Sequence, residues 1–178
     1  MHRLQDRRTI TSLAPPATSP VTRRTSALII LGAAIASVIV DQITKSIAES
    51  ALADGPVRLV FGARLVLTYN SGAAFSVGAG RSAVFTVIAS VTICALTAYA
   101  LWVRHRPAQA VAFGLILGGA AGNVVDRLFR ANGGRVIDFV EAARWWPVFN
   151  WADTSLFCGV ALLLLLSFRD GRDEPRST

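Results

Sequence analysis

Four long apolar runs constrain this chain more than any other feature of its sequence. They cover approximately Ser26–Ile47, Ser82–Val103, Ala108–Val125 and Trp151–Phe168. A helix needs about 20 mostly apolar residues to cross the roughly 30 Å hydrocarbon core of a bilayer. With 53% hydrophobic and only 16% charged residues, the 178-residue chain lacks the polar groups that cover a soluble monomer. The sequence therefore predicts an all-α polytopic membrane protein with four transmembrane helices.

The arginines predict how these helices are oriented. An even number of spans places both termini on one side, and the short segments of that side contain Arg3, Arg7, Arg8, Arg23, Arg24, Arg104, Arg106, Arg169, Arg172 and Arg176. By the positive-inside rule this side is cytoplasmic, so the net charge of +7 indicates orientation rather than nucleic-acid binding. Residues 1–25 and 169–178 are predicted to be cytoplasmic tails, the first disordered, around a membrane domain at 26–168. A cleaved signal peptide ending near Ala36 is the alternative for the first run.

Two segments are predicted to lie outside the membrane, on the opposite side. The first, PVRLVFGARLVLTYNSG, has the β-branched residues and the central Gly62 typical of a hairpin of two short strands. The second, DFVEAARWWPVF, predicts a short interfacial helix that ends at Pro147, with Trp145 and Trp146 at the level of the lipid headgroups. In the third apolar run, the G-x-x-x-G spacing of Gly114, Gly118 and Gly122 predicts close packing between helices.

Polar residues converge on the outer ends of these predicted helices. They are Asp41, Lys45, Asn70, Asn123, Asp126, Arg127, Asp138, Asn150 and Asp153. Each has a structural explanation on its own: Asp41 and Lys45 can form an i,i+4 ion pair, and Asn150 can be a helix N-cap. Because polar side chains at membrane depth are costly, their coincidence at one level nevertheless indicates a functional site.

The residue types available at that level restrict its chemistry. Both histidines, His2 and His105, are predicted to be cytoplasmic, and both cysteines lie within apolar runs. No zinc motif such as H-E-x-x-H occurs in the sequence. Two carboxylates that share a proton can activate water and protonate a carbonyl, which favours an acid–base hydrolase. A proton or ion relay in a small transporter or channel, and a non-catalytic assembly subunit, are the alternatives.

Five short motifs in order resemble those of signal peptidase II, the lipoprotein signal peptidase family of bacteria. They are D-Q-x-x-K from Asp41, Y-N-x-G-A-A-F from Tyr69, G-N-x-x-D-R from Gly122, V-I-D-F from Val136 and F-N-x-A-D from Phe149. Any one of them is weak, but five in order over four spans are specific. The chain departs from the family pattern in the slightly extended R-A-N-G-G-R-V segment and in its long first tail.

The resemblance implies an aspartic endopeptidase with Asp138 and Asp153 as its catalytic pair. Asn70, Gly72, Asn123, Asp126, Arg127 and Asn150 would line or organise the pocket, and Asp41 and Lys45 would be a structural pair. The implied substrate is a prolipoprotein carrying a diacylglyceryl-modified cysteine, cut at the outer face of the bacterial cytoplasmic membrane. A small outer sheet and a gating outer helix are also implied. Membrane lipids are the other expected partners of a monomeric enzyme, without a metal or organic cofactor.

Overall fold

The computed structural model describes residues 19–72 and 82–173, and within them four helices dominate. These helices are α1 (Arg23–Ala51), α2 (Ser82–Trp102), α3 (Pro107–Phe129) and α4 (Trp151–Asp173). In the described part of the chain, α1, α3 and α4 are long and apolar enough to cross a membrane, and α2 contains a shorter apolar stretch, Thr86–Trp102. Most of the predicted first tail and residues 174–178 of the second lie outside the described residues. Helix α4 continues to Asp173, beyond Phe168, where the apolar run was predicted to end.

Helix α3 is the centre of the bundle, and it packs most extensively against α1 and α4. A Cβ atom at Gly118 would lie 2.7 Å from the carbonyl oxygen of Ala34 in α1, and one at Gly114 would lie 2.7 Å from that of Ile30. Gly119 faces the other way and meets the backbone of Ala152 at the start of α4. The close helix packing predicted from the G-x-x-x-G spacing is confirmed.

A three-stranded antiparallel sheet of order β1-β2-β3 lies at one end of the bundle. The predicted hairpin is confirmed as β1 (Val57–Arg58) and β2 (Arg64–Asn70). A single 3-10 turn connects them, in which Phe61 has a φ of +56° and Gly62 a φ of +81°. The third strand, β3 (Val136–Glu141), pairs with β2, so that Thr68 faces Asp138 and Asn70 faces Val136.

The predicted outer helix over Asp138–Phe149 is wrong. Its first residues belong to β3, and turns follow up to Trp146. Phe149 then pairs back with Val140 through backbone hydrogen bonds of 2.8 and 3.0 Å. The edge of β2 offers Val136–Glu141 a complete ladder of hydrogen bonds, and this long-range pairing outweighs the local helical pattern. Asp138 therefore lies on a strand rather than at the start of a helix.

Different secondary-structure elements meet at the two ends of the bundle. The C-terminal ends of α1 and α3, the start of α4 and strand β3 meet at one end. At the other end, the backbone N–H of Val21 donates to the carbonyl of His105, and Arg106 forms an ion pair with Asp170. The sheet and the predicted site residues thus lie at the end opposite these loops.

Candidate active site

All of the predicted site residues belong to one connected hydrogen-bond network at the sheet-bearing end of the bundle. The network contains Asp41, Lys45, Asn70, Gly72, Asn123, Asp126, Arg127, Asp138, Asn150 and Asp153. Five elements contribute, α1, β2, α3, β3 and α4, together with Gly72 just after β2 and Asn150 just before α4. The structure therefore brings these residues together at one end of the bundle.

Two carboxylates of this network approach each other across Asn150. Asp138 extends from the middle of β3, and Asp153 lies in the first turn of α4. The side-chain amide of Asn150 donates to Asp138 Oδ1 at 2.7 Å, while its backbone N–H donates to Asp153 Oδ2 at 3.2 Å. One residue thus holds both carboxylates.

Asn150 can do this because it is the N-cap of α4. Its Oδ1 accepts a hydrogen bond of 3.0 Å from the backbone N–H of Asp153, three residues later. The return bond from its own N–H to the Asp153 carboxylate completes a reciprocal cap, as in a capping box. The structural explanation of Asn150 as a cap and its functional explanation as a site residue therefore apply together.

The outer oxygens of the two carboxylates are held by two further amides. Asn70 Nδ2 donates to Asp138 Oδ2 at 3.0 Å, and Asn123 Nδ2 donates to Asp153 Oδ1 at 3.0 Å. Asn70 reaches Asp138 because Thr68 and Asp138 are paired across β2 and β3, which places Asn70 diagonally opposite on the same face. Each carboxylate is therefore fixed by at least two N–H donors.

Lys45 joins three residues that lie beneath the two carboxylates. Its side chain and that of Asp41 have no exposed surface, and its Nζ lies 2.9 Å from Asp41 Oδ2 and 2.8 Å from Asp126 Oδ2. The third N–H bond goes to Asn123 Oδ1 at 3.1 Å, which orients the amide that serves Asp153. All three hydrogen bonds that the Lys45 amine can donate are therefore taken up within the network, which leaves none for a substrate.

Asp41 and Asp126 have positioning functions. Asp41 Oδ1 accepts a 3.0 Å bond from the backbone N–H of Ala152, which joins α1 to the first turn of α4. Asp126 Oδ2 accepts a 3.1 Å bond from the N–H of Ile137, the residue before Asp138. These two buried carboxylates therefore fix the elements that carry the other two. Gly122 allows the Asp41 contact, since a Cβ there would lie 2.5 Å from Asp41 Oδ2.

Two contributors to the network were missed by the sequence analysis. Gln42 donates to Asp126 Oδ1 at 2.9 Å, and Arg130 Nε lies 3.2 Å from the same oxygen. Arg130 follows Asp126 by four residues on α3, a spacing that could have indicated the pair. Gln42 is the second residue of the D-Q-x-x-K motif, and its place in that motif could have indicated it.

Arg127 joins the network to the segment after β2. Its Nη2 donates 2.8 Å to the carbonyl of Gly72, whose own N–H donates to Asn70 Oδ1 at 2.9 Å. Within the described residues, Arg127 Nε is buried and has no hydrogen-bond partner. A guanidinium N–H near the two carboxylates is thus left available as a donor. Residues 73–75 of the Y-N-x-G-A-A-F motif lie outside the described residues.

Asp138 opens onto a cavity of about 330 Å³ although it is only 3% exposed. The cavity is lined by Thr68, Asn70, Asp138, Arg144, Trp145, Trp146, Pro147 and Val148. Burial, and next the negative charge of Asp153, raises the pKa of Asp138 to about 7 against the opposing hydrogen bonds from Asn70 and Asn150. At neutral pH Asp138 can therefore hold or release a proton.

The arrangement can perform acid–base chemistry on a substrate that enters the cavity. The carboxylate of Asp153, in the first turn of α4, accepts one bond from the side-chain amide of Asn123 and one from the backbone N–H of Asn150. The other carboxylate has a raised pKa, which favours a retained proton. Such a pair can activate a water molecule and protonate a carbonyl oxygen at the same time.

Fold and site together define a helical membrane protein with a pair of carboxylates beside a small sheet at one end of its bundle. A family model described as signal peptidase (SPase) II matches residues 33–169. The lipoprotein signal peptidase of Syntrophomonas wolfei is 40% identical over 148 residues, covering 82% of this chain and 97% of that protein. The corresponding protein of Rhodococcus jostii is 41% identical over 161 residues, which cover 86% and 78% of the two chains. The chain belongs to the signal peptidase II family.

Solved structures agree with this membership. A bacterial membrane enzyme solved at 2.3 Å matches with a TM-score of 0.74 and 27% identity, over 91% of this chain and 98% of that one. A second bacterial membrane enzyme, solved at 1.9 Å, matches with a TM-score of 0.69 and 28% identity, over 86% and 99%. The likeness thus extends over nearly the whole of both solved chains.

Proposed function

We propose that this protein is an aspartic endopeptidase that removes the signal peptide from diacylglyceryl-modified prolipoproteins, cutting just before the lipidated cysteine. The observation that carries the proposal is the bridging of Asp138 and Asp153 by Asn150 next to an open cavity. Membership of the signal peptidase II family supports the substrate, and the lipoprotein signal peptidases cited above support its class.

In the proposed reaction, a water molecule between the two carboxylates attacks the carbonyl carbon of the scissile peptide bond. Asp153 takes a proton from the water, and Asp138 gives its proton to the carbonyl oxygen, which yields a neutral tetrahedral diol. The diol then collapses: the C–N bond breaks, Asp153 gives its proton to the leaving nitrogen, and Asp138 takes a proton from a diol hydroxyl, which restores the starting state of the pair. The products are the signal peptide with a new carboxyl end and the lipoprotein with a free amino group on its cysteine.

Arg127 and Asn123 are proposed to orient the substrate. An extended peptide near the membrane boundary needs hydrogen-bond partners for its backbone, since the lipid offers none. The buried Nε of Arg127 can donate to a backbone carbonyl or to a carbonyl of the acylated glycerol group. Asn123 accepts a hydrogen bond from Lys45 and donates one to Asp153, so its side chain is fixed beside the reacting carboxylate.

The proposed topology has four spans, with both termini in the cytoplasm and the site at the outer face. The end of the bundle that carries the site lies opposite the loop containing Arg104 and Arg106, which favours this orientation. A site at the outer boundary would receive a lipid-modified substrate laterally from the bilayer. We further propose that the protein acts as a monomer, since the network is complete within one chain.

The experiment uses the purified protein in detergent micelles with a prolipoprotein that already carries its diacylglyceryl group. Wild type, Asp138→Asn and Asp153→Asn are compared for release of the signal peptide, with EDTA in a parallel sample. We expect each variant to lose activity by about a thousandfold or more, because each removes one proton-transfer group. EDTA should have no effect.

Asp170→Asn is the matched control, since it makes the same chemical change at the opposite end of the bundle. It should cleave like wild type. Cleavage that survives in both site variants, or wild type that cuts no lipidated substrate, would overturn the proposal, and a proton-relay function should then be tested in vesicles.

A further inference from the structure

A second cavity, of about 470 Å³, lies on the other face of β2 from the carboxylates. It is lined by Glu49, Tyr69, Arg130, Ala131, Asn132 and Arg135. Successive side chains of a strand point to opposite faces of a sheet. Accordingly Thr68 and Asn70 line the cavity of Asp138, whereas Tyr69 between them lines this one. The two cavities are therefore separate, and the reaction proposed above does not use the second.

The second cavity is lined mainly by the R-A-N-G-G-R segment, residues 130–135, between α3 and β3. Asn132 Nδ2 donates 2.6 Å to the carbonyl of Arg135, and Arg135 Nε donates 2.8 Å to the carbonyl of Asn132. Gly133 and Gly134 between them have φ values of +69° and +74°, which other residues rarely adopt. The loop thus presents Asn132 and Arg135 in a fixed relation.

The charges of this cavity do not balance. Arg130 forms ion pairs with Glu49 and Asp126. Arg135 lies over the ring of Tyr69, 5.0 Å from its centroid, and among the described residues it has no carboxylate partner. The residues that line the cavity therefore include two arginines but only one carboxylate, Glu49, and the guanidinium group of Arg135 is left over. Such a group is suited to binding phosphate.

Asn132 supplies the second element of recognition. The residue is only 9% exposed, and within the described part of the chain its Oδ1 is buried without a hydrogen-bond partner. A buried acceptor left unpaired is costly, so a ligand that donates a hydrogen bond to this oxygen would be favoured. A ligand that fits the cavity therefore carries an anion for Arg135 and a hydroxyl for Asn132.

The cavity lies where the apolar faces of two helices end. Phe129, directly before Arg130, is 79% exposed, and Ile47, two residues before Glu49, is 58% exposed. Exposed apolar side chains on the last turns of membrane helices face lipid tails, so the charged residues that follow lie at headgroup depth. An arginine at this depth can reach the phosphate of a lipid headgroup, which its guanidinium group binds well.

We propose that this cavity binds the headgroup of an anionic phospholipid, with the phosphodiester on Arg135 and a headgroup hydroxyl donating to Asn132 Oδ1. Phosphatidylglycerol has both groups. Soluble glycerol 3-phosphate shares this chemistry but lacks acyl chains to lie along Phe129 and Ile47. The bound lipid would hold β2 and the R-A-N-G-G-R loop against the bilayer, at a site distinct from the carboxylates.

The test is a lipid titration of the full-length protein in nonionic detergent, followed by native mass spectrometry. The probes are phosphatidylglycerol and phosphatidylcholine with identical acyl chains, and glycerol 3-phosphate. We expect saturable binding of one phosphatidylglycerol, with at least about tenfold weaker binding in Arg135→Gln because a charge-assisted bond is lost. Asn132→Ala should also weaken binding. Arg58→Gln, an exposed arginine on β1 outside the cavity, is the matched control and should bind like wild type.

Three outcomes would overturn the proposal: equal binding of phosphatidylcholine, equal affinity in Arg135→Gln and wild type, or binding of glycerol 3-phosphate as tight as that of the lipid. Unfolding midpoints of all variants in the same detergent show whether the fold is retained. Because binding is read directly, the result does not depend on whether the protein cleaves prolipoproteins.

Discussion

The two ends of the helical bundle pair their polar and charged groups in different ways. At the end with the loop between α2 and α3, backbone groups pair with one another and with Ser26, and the ion pair of Arg106 and Asp170 is 31% and 42% exposed. At the other end, the side chains of Asp41, Lys45 and Asp126 have no exposed surface, and both carboxylates contact the one Lys45 amine. Burying charges is costly even when they are paired, so a fold without a site would have no reason to do it. The comparison indicates that the buried charges serve a site, whereas the contacts at the other end only hold the helix ends and their loop together.

Replacing Lys45 by Met should have the largest effect on stability. It leaves Asp41 and Asp126 buried without their shared cation, and breaking a buried pair in this way costs about 3–5 kcal/mol. Replacing Arg106 by Gln, at the other end, should cost less than about 1 kcal/mol, because its pair is partly exposed. Titration of unfolding with SDS in mixed micelles measures both.

A double variant separates charge from packing in that result. Asp41→Asn added to Lys45→Met removes one of the two stranded charges and should recover part of the lost free energy of unfolding. Similar losses for Lys45→Met and Arg106→Gln would mean that the buried triad contributes no more than a surface pair.

A comparison of two helix caps separates stability from activity. Thr22 caps α1 by accepting a 3.2 Å bond from the N–H of Thr25, and Asn150 caps α4. Alanine at either position should destabilise the protein by about 0.5–2 kcal/mol. Only Asn150→Ala should also slow signal-peptide release, roughly ten- to hundredfold, since it removes the amide donor to the buried carboxylate of Asp138 and the side-chain cap that positions Asp153. Wild-type turnover in Asn150→Ala would show that the bridge is unnecessary.

The same contrast between ends explains what could be predicted from sequence. The four helices follow from runs of apolar residues, a property that each segment carries by itself. Strand β3 does not, because Val136–Glu141 becomes a strand only where β2 offers its edge, more than 60 residues earlier in the chain. The local pattern of DFVEAARWWPVF therefore gave an incorrect helix.

The site was more predictable than its sheet. Polar residues at membrane depth are rare enough that Asp41, Lys45 and Asp153 could be identified from hydropathy alone. Spacing could not decide between Asp126 and Asp138 as partner of Asp153, and only the family resemblance favoured Asp138. The structure gives a physical distinction: Asp126 is held by Lys45 and Arg130, whereas Asp138 lines a cavity.

A pair of glycine substitutions tests the packing beneath the site. Gly118→Ala would place a Cβ 2.7 Å from the carbonyl oxygen of Ala34, so α1 and α3 must separate, at a cost of about 1–3 kcal/mol. Gly32→Ala makes the same chemical change on α1 where nothing lies within 4 Å. It should be neutral or stabilise by up to about 1 kcal/mol, from helix propensity. Equal effects of the two variants would contradict the close contact.

The smallest expected effect is a displacement of the pH profile. With the pKa of Asp138 raised to about 7, the proposed proton donor is intact below this pH and lost above it. The value of kcat/KM, which reports the ionisation of the free enzyme, should therefore fall above about pH 7. The hydrogen bond from Asn70 lowers the pKa of Asp138, because it stabilises the carboxylate form. Asn70→Leu removes that bond, so the pKa should rise and the alkaline limb should move to higher pH.

The position of this limb separates a change of pKa from simple damage to the site. Asn70→Leu is expected to lower the maximal rate as well, but a structural defect alone would leave the limb where it is in wild type. Asp170→Asn, at the other end of the bundle, should alter neither quantity. A limb that stays in place or moves to lower pH in Asn70→Leu would show that Asp138 does not supply the proton, and the roles of the two carboxylates would then have to be exchanged.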